Sequence, residues 1–162
     1  MATAGSQASI SLIITNQKTG EPVVYKQDGK RFTSDVTIKL SVNTVYVVSV
    51  TIKPAFSNLK GLELGTDMLT PDDTIRSEGT VKHSFTWSTT GIPPSGSAKR
   101  NSILVTLHFD PGILSHHLQT KFYKSADLQH VSWGTSLHAV ELSCKIEQEG
   151  SAVGKITDCR IK

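Results

Sequence analysis

The stretch VTIKLSVNTVYVVSVTIK, residues 36–53, decides the fold class. In it Val36, Ile38 and Leu40 alternate with Thr37 and Lys39, and Tyr46, Val48, Val50 and Ile52 repeat the same period of two. Successive side chains of a pleated strand point to opposite faces, so each run reads as a strand with one apolar face, and Thr37 and Lys39 read as solvent-facing. The intervening SVNT is short and contains Asn43, a turn former, so residues 36–53 are expected to fold as a β-hairpin.

The same period extends in both directions. Ile10, Leu12 and Ile14 share a face near the start; further on, Val81, His83, Phe85 and Trp87 alternate with Lys82, Ser84 and Thr86. Ile103, Val105, Leu107 and Phe109 do the same, and a strand over 136–145 is expected to carry His138, Val140, Leu142 and Cys144 on one face. A shorter strand is expected at 155–161. Residues 110–127 fit two periods, because Leu114, Leu118 and Phe122 make a helical stripe while Leu118, Thr120 and Phe122 make a strand face. About 8–10 short strands broken by Gly, Pro, Asn and Asp imply an all-β chain, an antiparallel β-sandwich or flattened barrel. The length, 162 residues, is that of one domain; a flexible tail over 1–8 followed by a single β domain over 9–162 is the expected organisation.

Hydrophobic residues make up 37% of the chain and charged residues 19%, outside the range of disordered chains, and no apolar run approaches a membrane span. Residues 1–7 show neither the charged start nor the apolar core of a secretory signal. With no sign of an oxidising compartment, Cys144 and Cys159 are expected as free thiols. Cys159 stands four residues from the end, but Arg160 and Lys162 fit prenylation poorly. The net charge is +3, and the basic excess is concentrated early: residues 1–60 carry seven Lys/Arg against three acids. Aromatic content of 6% gives too few stacking platforms for a nucleic-acid reader.

Catalytic and metal constellations are not legible. His116 and His117 are adjacent and so point to opposite faces of a strand, and no His-x-His or Cys-x-x-Cys pair clusters ligands. No nucleophile elbow or phosphate-binding loop occurs, so neither a cofactor nor catalysis is expected. The connection over 89–101 holds Gly91, Pro93, Pro94 and Gly96 and ends in Lys99-Arg100, which marks it as a surface loop of the kind that carries binding on a rigid β scaffold.

The segment Val24-Tyr25-Lys26-Gln27-Asp28-Gly29-Lys30-Arg31-Phe32, followed by Thr37-Ile38-Lys39-Leu40, Tyr46 and Ile52-Lys53-Pro54, resembles the cannabinoid receptor-interacting protein family. Thr90-Gly91-Ile92-Pro93 with Arg100, Lys121-Phe122-Tyr123, Trp133-Gly134 and Cys144-Lys145 continue the likeness over about residues 10–146. The resemblance implies a fold similar to Rho guanine-nucleotide dissociation inhibitors. It also implies a non-enzymatic cytoplasmic adaptor at the inner face of the plasma membrane. Such an adaptor binds the C-terminal tail of the type 1 cannabinoid receptor, or a related receptor, and modulates signalling through inhibitory G proteins.

Two sites follow as expectations. A tail would meet the basic residues Lys26, Lys30, Arg31, Lys99 and Arg100. In the alternative, a carrier role, Val48, Val50, Phe85, Trp87, Val105 and Leu107 would line an apolar pocket for the acyl or prenyl chain of a lipidated G-protein segment.

Overall fold

A computed structural model describes residues 6–28, 35–56, 58–96, 99–109, 112–146 and 154–162. Its strands are β1 (Ser6–Asn16), β2 (Val24–Gln27), β3 (Val36–Ser41), β4 (Val45–Lys53), β5 (Leu59–Leu64), β6 (Asp67–Leu69), β7 (Asp73–Ser77), β8 (Thr80–Ser88), β9 (Asn101–Phe109), β10 (Ile113–Tyr123), β11 (Thr135–Ser136), β12 (Val140–Ile146) and β13 (Gly154–Ile161). Among the described residues a single short helix, α1 (Leu128–Ser132), lies between β10 and β11. One sheet runs β13-β12-β1-β4-β8-β7 and the other β11-β2-β3-β10-β9-β5-β6, so the expected all-β class takes the form of an open two-sheet sandwich and not a barrel. Strands outnumber the expected 8–10 because the extra ones are short or unburied. β6 and β11 have three and two residues, and every residue of β7 is exposed, which leaves no alternation to read. All ladders are antiparallel except β3 with β10, which run parallel.

The hairpin expected over 36–53 does not form. β3 belongs to the seven-stranded sheet and β4 to the six-stranded one, so residues 42–44 arch from one sheet to the other. Thr89 holds that arch: its Oγ1 donates to the Ser41 carbonyl at 2.7 Å and accepts from the Thr44 amide at 3.0 Å. The apolar faces are placed as expected, because alternation reports which side chains turn inward but not which sheet a strand joins. Ile10, Leu12 and Ile14, then Tyr46, Val48, Val50 and Ile52, then Val81, Phe85 and Trp87 all enter one core from the six-stranded sheet. Ile38, Leu40, Val105, Leu107, Leu118 and Phe122 face them from the other.

Three further readings change. Residues 113–123 are strand throughout, which resolves the two-period segment. The strand expected from 136 is divided: Ser136 ends β11 in one sheet, Val140 opens β12 in the other, and His138 is exposed in the crossing. β1 begins at Ser6 and pairs with Ile146 there, so residues 6–8 of the expected tail are strand. Both cysteines are free, Cys144 buried in the core and Cys159 half-buried on β13. No helix among the described residues is long and apolar enough to cross a membrane.

Candidate functional site: a cationic cleft on the outer sheet face

β2, β3 and β10 are neighbours, and cross-strand partners share a face. Lys26 on β2 pairs with Thr37 on β3, and Lys39 on β3 pairs with Lys121 on β10. Because Ile38 and Leu40 enter the core, Thr37, Lys39 and Lys121 stand on the outer face. Yet Thr37 and Lys39 are only 1% and 7% exposed. The expectation that they face solvent fails for two reasons: Thr37 is enclosed by Asp28, Arg100 and Gln119, whose side chains all bond to its hydroxyl, and Lys39 is covered by the chain that folds back after β10.

That cover is α1. Asp127 caps it, its carboxylate accepting from the His130 amide at 3.0 Å, as short polar N-cap residues do. At the other end the Lys39 ammonium donates to the carbonyls of His130 at 2.8 Å and Trp133 at 2.5 Å. A cation is favoured there, since the last carbonyls of a helix lack partners and carry partial negative charge. Gly134 then lets the chain run against β2: a Cβ at this position would sit 2.6 Å from the Tyr25 carbonyl oxygen.

Between α1 and residues 94–95 opens a cleft of about 750 Å³ lined by Lys26, Lys39, Lys121 and Lys124, with Tyr123, Asp127, His130 and Trp133 on its walls. The Lys39 and Lys121 ammoniums lie 5.5 and 5.3 Å from the Tyr123 ring centroid, within cation–π range. Burial holds the Lys39 ammonium below the usual lysine range, and Lys26, Lys121 and Arg100 push it further down. Burial, then Arg100 and Lys26, act on Lys121 in the same direction. Both nearby carboxylates have partners of their own. Asp127 accepts from the His130 ring at 2.9 Å, and Asp28 is paired with Arg100 at 3.0 Å, with the Lys26 ammonium farther off at 3.9 Å. A site of this make-up favours an anionic ligand.

Of the expected basic residues, Lys26 lines the cleft. Arg100 sits beside it in the buried pair with Asp28, and Lys99 is exposed next to it without lining it. Lys30 and Arg31 lie outside the described residues. Lys39, Lys121, Lys124, Tyr123 and Trp133 were not singled out from the sequence as site residues. The fragments Thr37-Ile38-Lys39-Leu40, Lys121-Phe122-Tyr123 and Trp133-Gly134, quoted for the family likeness, all end at this cleft.

The six residues of the expected apolar pocket face one another between the sheets, and each is at most 2% exposed within the core. Trp87 also borders a cleft of about 320 Å³ at the sandwich end, with Ile92, Ile103 and Phe122, and its indole donates to Asp67 at 3.1 Å. Among the described residues no three His, Cys, Asp or Glu side chains are grouped to hold a metal ion.

Comparison with known proteins agrees with the likeness read from the sequence. The family described as CB1 cannabinoid receptor-interacting protein 1 matches residues 5–158. The human protein of that name is 33% identical over 140 residues, 84% of this chain and 85% of the relative. The bovine and mouse proteins are each 31% identical over the same shares. The chain therefore belongs to the CB1 cannabinoid receptor-interacting protein 1 family.

Proposed function

We propose that this protein is a non-enzymatic cytoplasmic adaptor that binds the C-terminal tail of a cannabinoid-type or related receptor at the inner face of the plasma membrane and modulates its G-protein signalling. The relatives are named for interaction with that receptor, which supports the partner. The observation that carries the binding mode is the cleft, in which Lys26, Lys39, Lys121 and Lys124 meet while both nearby carboxylates are paired. A tail bearing acidic side chains or a terminal carboxylate would lie across this face, with Lys99 and Arg100 at its margin and Lys30 and Arg31 belonging to the same proposal. The carrier alternative draws less support, since its six pocket residues pack in the core.

The test is titration of a labelled receptor-tail peptide by fluorescence anisotropy. Lys26→Glu with Lys121→Glu is expected to weaken binding by about tenfold, the worth of two partly screened ion pairs, and added salt is expected to weaken the parent protein likewise. Absence of binding at high micromolar peptide counts against the adaptor reading; unchanged affinity in the variant counts against the cleft.

A further inference from the structure

Leu128 and Trp133 stand at the two ends of the α1 turn and are 73% and 56% exposed. Neither exposure follows from the turn lacking anchorage, because Lys39 binds its last carbonyls and Asp127 its first amides. Trp133 forms a wall of the cationic cleft, its ring edge-on to His130 at 5.1 Å. Leu128 borders a second cleft of about 590 Å³ on the far side of the turn. The turn thus raises the Trp133 ring beside a cleft that gathers ammonium groups from β2, β3 and β10, and exposes Leu128 on its other side.

An acidic peptide needs the ammonium groups but not the exposed pair. A membrane surface uses both: indole rings are favoured at the level of lipid headgroups, and each basic residue near an anionic leaflet strengthens binding about fivefold. The cleft is also unlike a flat polybasic patch in its burial: Lys39 is buried, Lys121 half-buried, and Lys26 and Lys124 exposed. A site of that kind suits a headgroup carrying more than one phosphate, whose oxygens can meet several ammoniums at once.

We propose that the cleft binds the phosphorylated headgroup of an anionic membrane lipid, with Leu128 and Trp133 entering the interface beside it. This goes beyond the receptor-tail reading and stands or falls separately from it. Because tail and headgroup would use the same lysines, each displaces the other.

The experiment is co-sedimentation of the full chain with phosphatidylcholine vesicles containing 5% phosphatidylinositol bisphosphate, against pure phosphatidylcholine vesicles, with tryptophan emission followed in parallel. Expected are binding to the first only and a blue shift that Trp133→Phe removes, Trp87 being buried already. Lys26→Glu, Lys121→Glu and Lys124→Glu together should weaken the partition by at least about 100-fold, roughly fivefold per basic residue. Should that triple variant fail to fold by circular dichroism, Trp133→Ala at the exposed rim carries the test, with loss of the shift and weaker binding expected.

No binding, equal binding to both vesicles, or binding that survives both variants overturns the proposal. Capture of soluble inositol bisphosphate without vesicle binding overturns it too. A receptor-tail peptide titrated on the same samples separates the two readings: peptide binding without vesicle binding removes this one alone, and the reverse removes the tail reading alone.

Discussion

Arg100 and Asp28, 72 residues apart in the chain, meet through two contacts: the guanidinium Nη2 lies 3.0 Å from Oδ1 and Nε 3.2 Å from Oδ2. Their side chains are 8% and 2% exposed. Thr37 Oγ1 donates to the same carboxylate, and Gln119 Nε2 donates to Thr37 Oγ1 at 2.9 Å. Burial alone pushes the Asp28 carboxyl up, but the hydrogen bonds from Arg100 and Thr37 outweigh it and hold the group below its ordinary value. A residue expected from sequence to meet a partner is thus half of a buried pair behind the cleft.

Arg100→Met is therefore expected to cost up to about 3–5 kcal/mol in urea unfolding, because it leaves buried Asp28 with only the half-exposed Lys26 ammonium, 3.9 Å away, as counter-charge. Changing both, Asp28→Leu with Arg100→Met, should cost less than the single change, since no charge is then stranded. The pair's contribution is present above the ordinary carboxylate range and is lost as pH falls through the depressed Asp28 value.

His83 lies in the core at 3% exposure, with Nδ1 2.9 Å from the Thr74 hydroxyl and Nε2 buried without a partner among the described residues. Burial, then the charge of Arg76, lowers its pKa. A base with a depressed folded value binds fewer protons folded than unfolded, so stability falls as pH drops below about 6.5, the unfolded value, with a slope of up to about 1.4 kcal/mol per pH unit. His116 is lowered in the same direction by burial and His117. Urea midpoints at pH 7.5 and 5.5 should differ less in His83→Leu than in the parent chain.

Lys39 is the clamp for α1. Lys39→Met keeps the stem but removes the ammonium that holds the His130 and Trp133 carbonyls. Hydrogen exchange across residues 126–135 should accelerate while exchange in β4 and β8 stays unchanged, since local opening need not cross the sandwich.

Leu107 tests whether the space between the sheets is closed. It is fully buried against the opposing sheet. Leu107→Ala is expected to cost about 2–5 kcal/mol, the range for a cavity cut into a packed core. A loss well under 1 kcal/mol at this site is the result that would favour a slack interior fit for an acyl chain.

Burial pushes the Cys144 thiol up to about 11, and it also raises Cys159. The thiolate is the reactive form, so Cys144 should resist alkylation at pH 8 until the protein is unfolded. Mass spectrometry after timed iodoacetamide treatment should find Cys159, which is less buried, modified first.

By itself the sequence determined the fold class and the inward face of the main strands. Residues such as Ile10, Val48, Val50, Phe85 and Leu107 alternate because a sheet burying one face repeats every second residue, and that signal is local. The family likeness was also legible, in fragments short enough to read one at a time. Tertiary structure alone decided that β3 and β4 part company at residues 42–44, since an arch and a hairpin place the same residues inward. It alone decided the cleft as well. Lys39 meets Lys121 only through the parallel pairing of β3 with β10, and it is buried only because α1 returns across it. Charges brought together from positions 26, 39, 121 and 124 leave no period along the chain, so their convergence exists only once the sheet has formed.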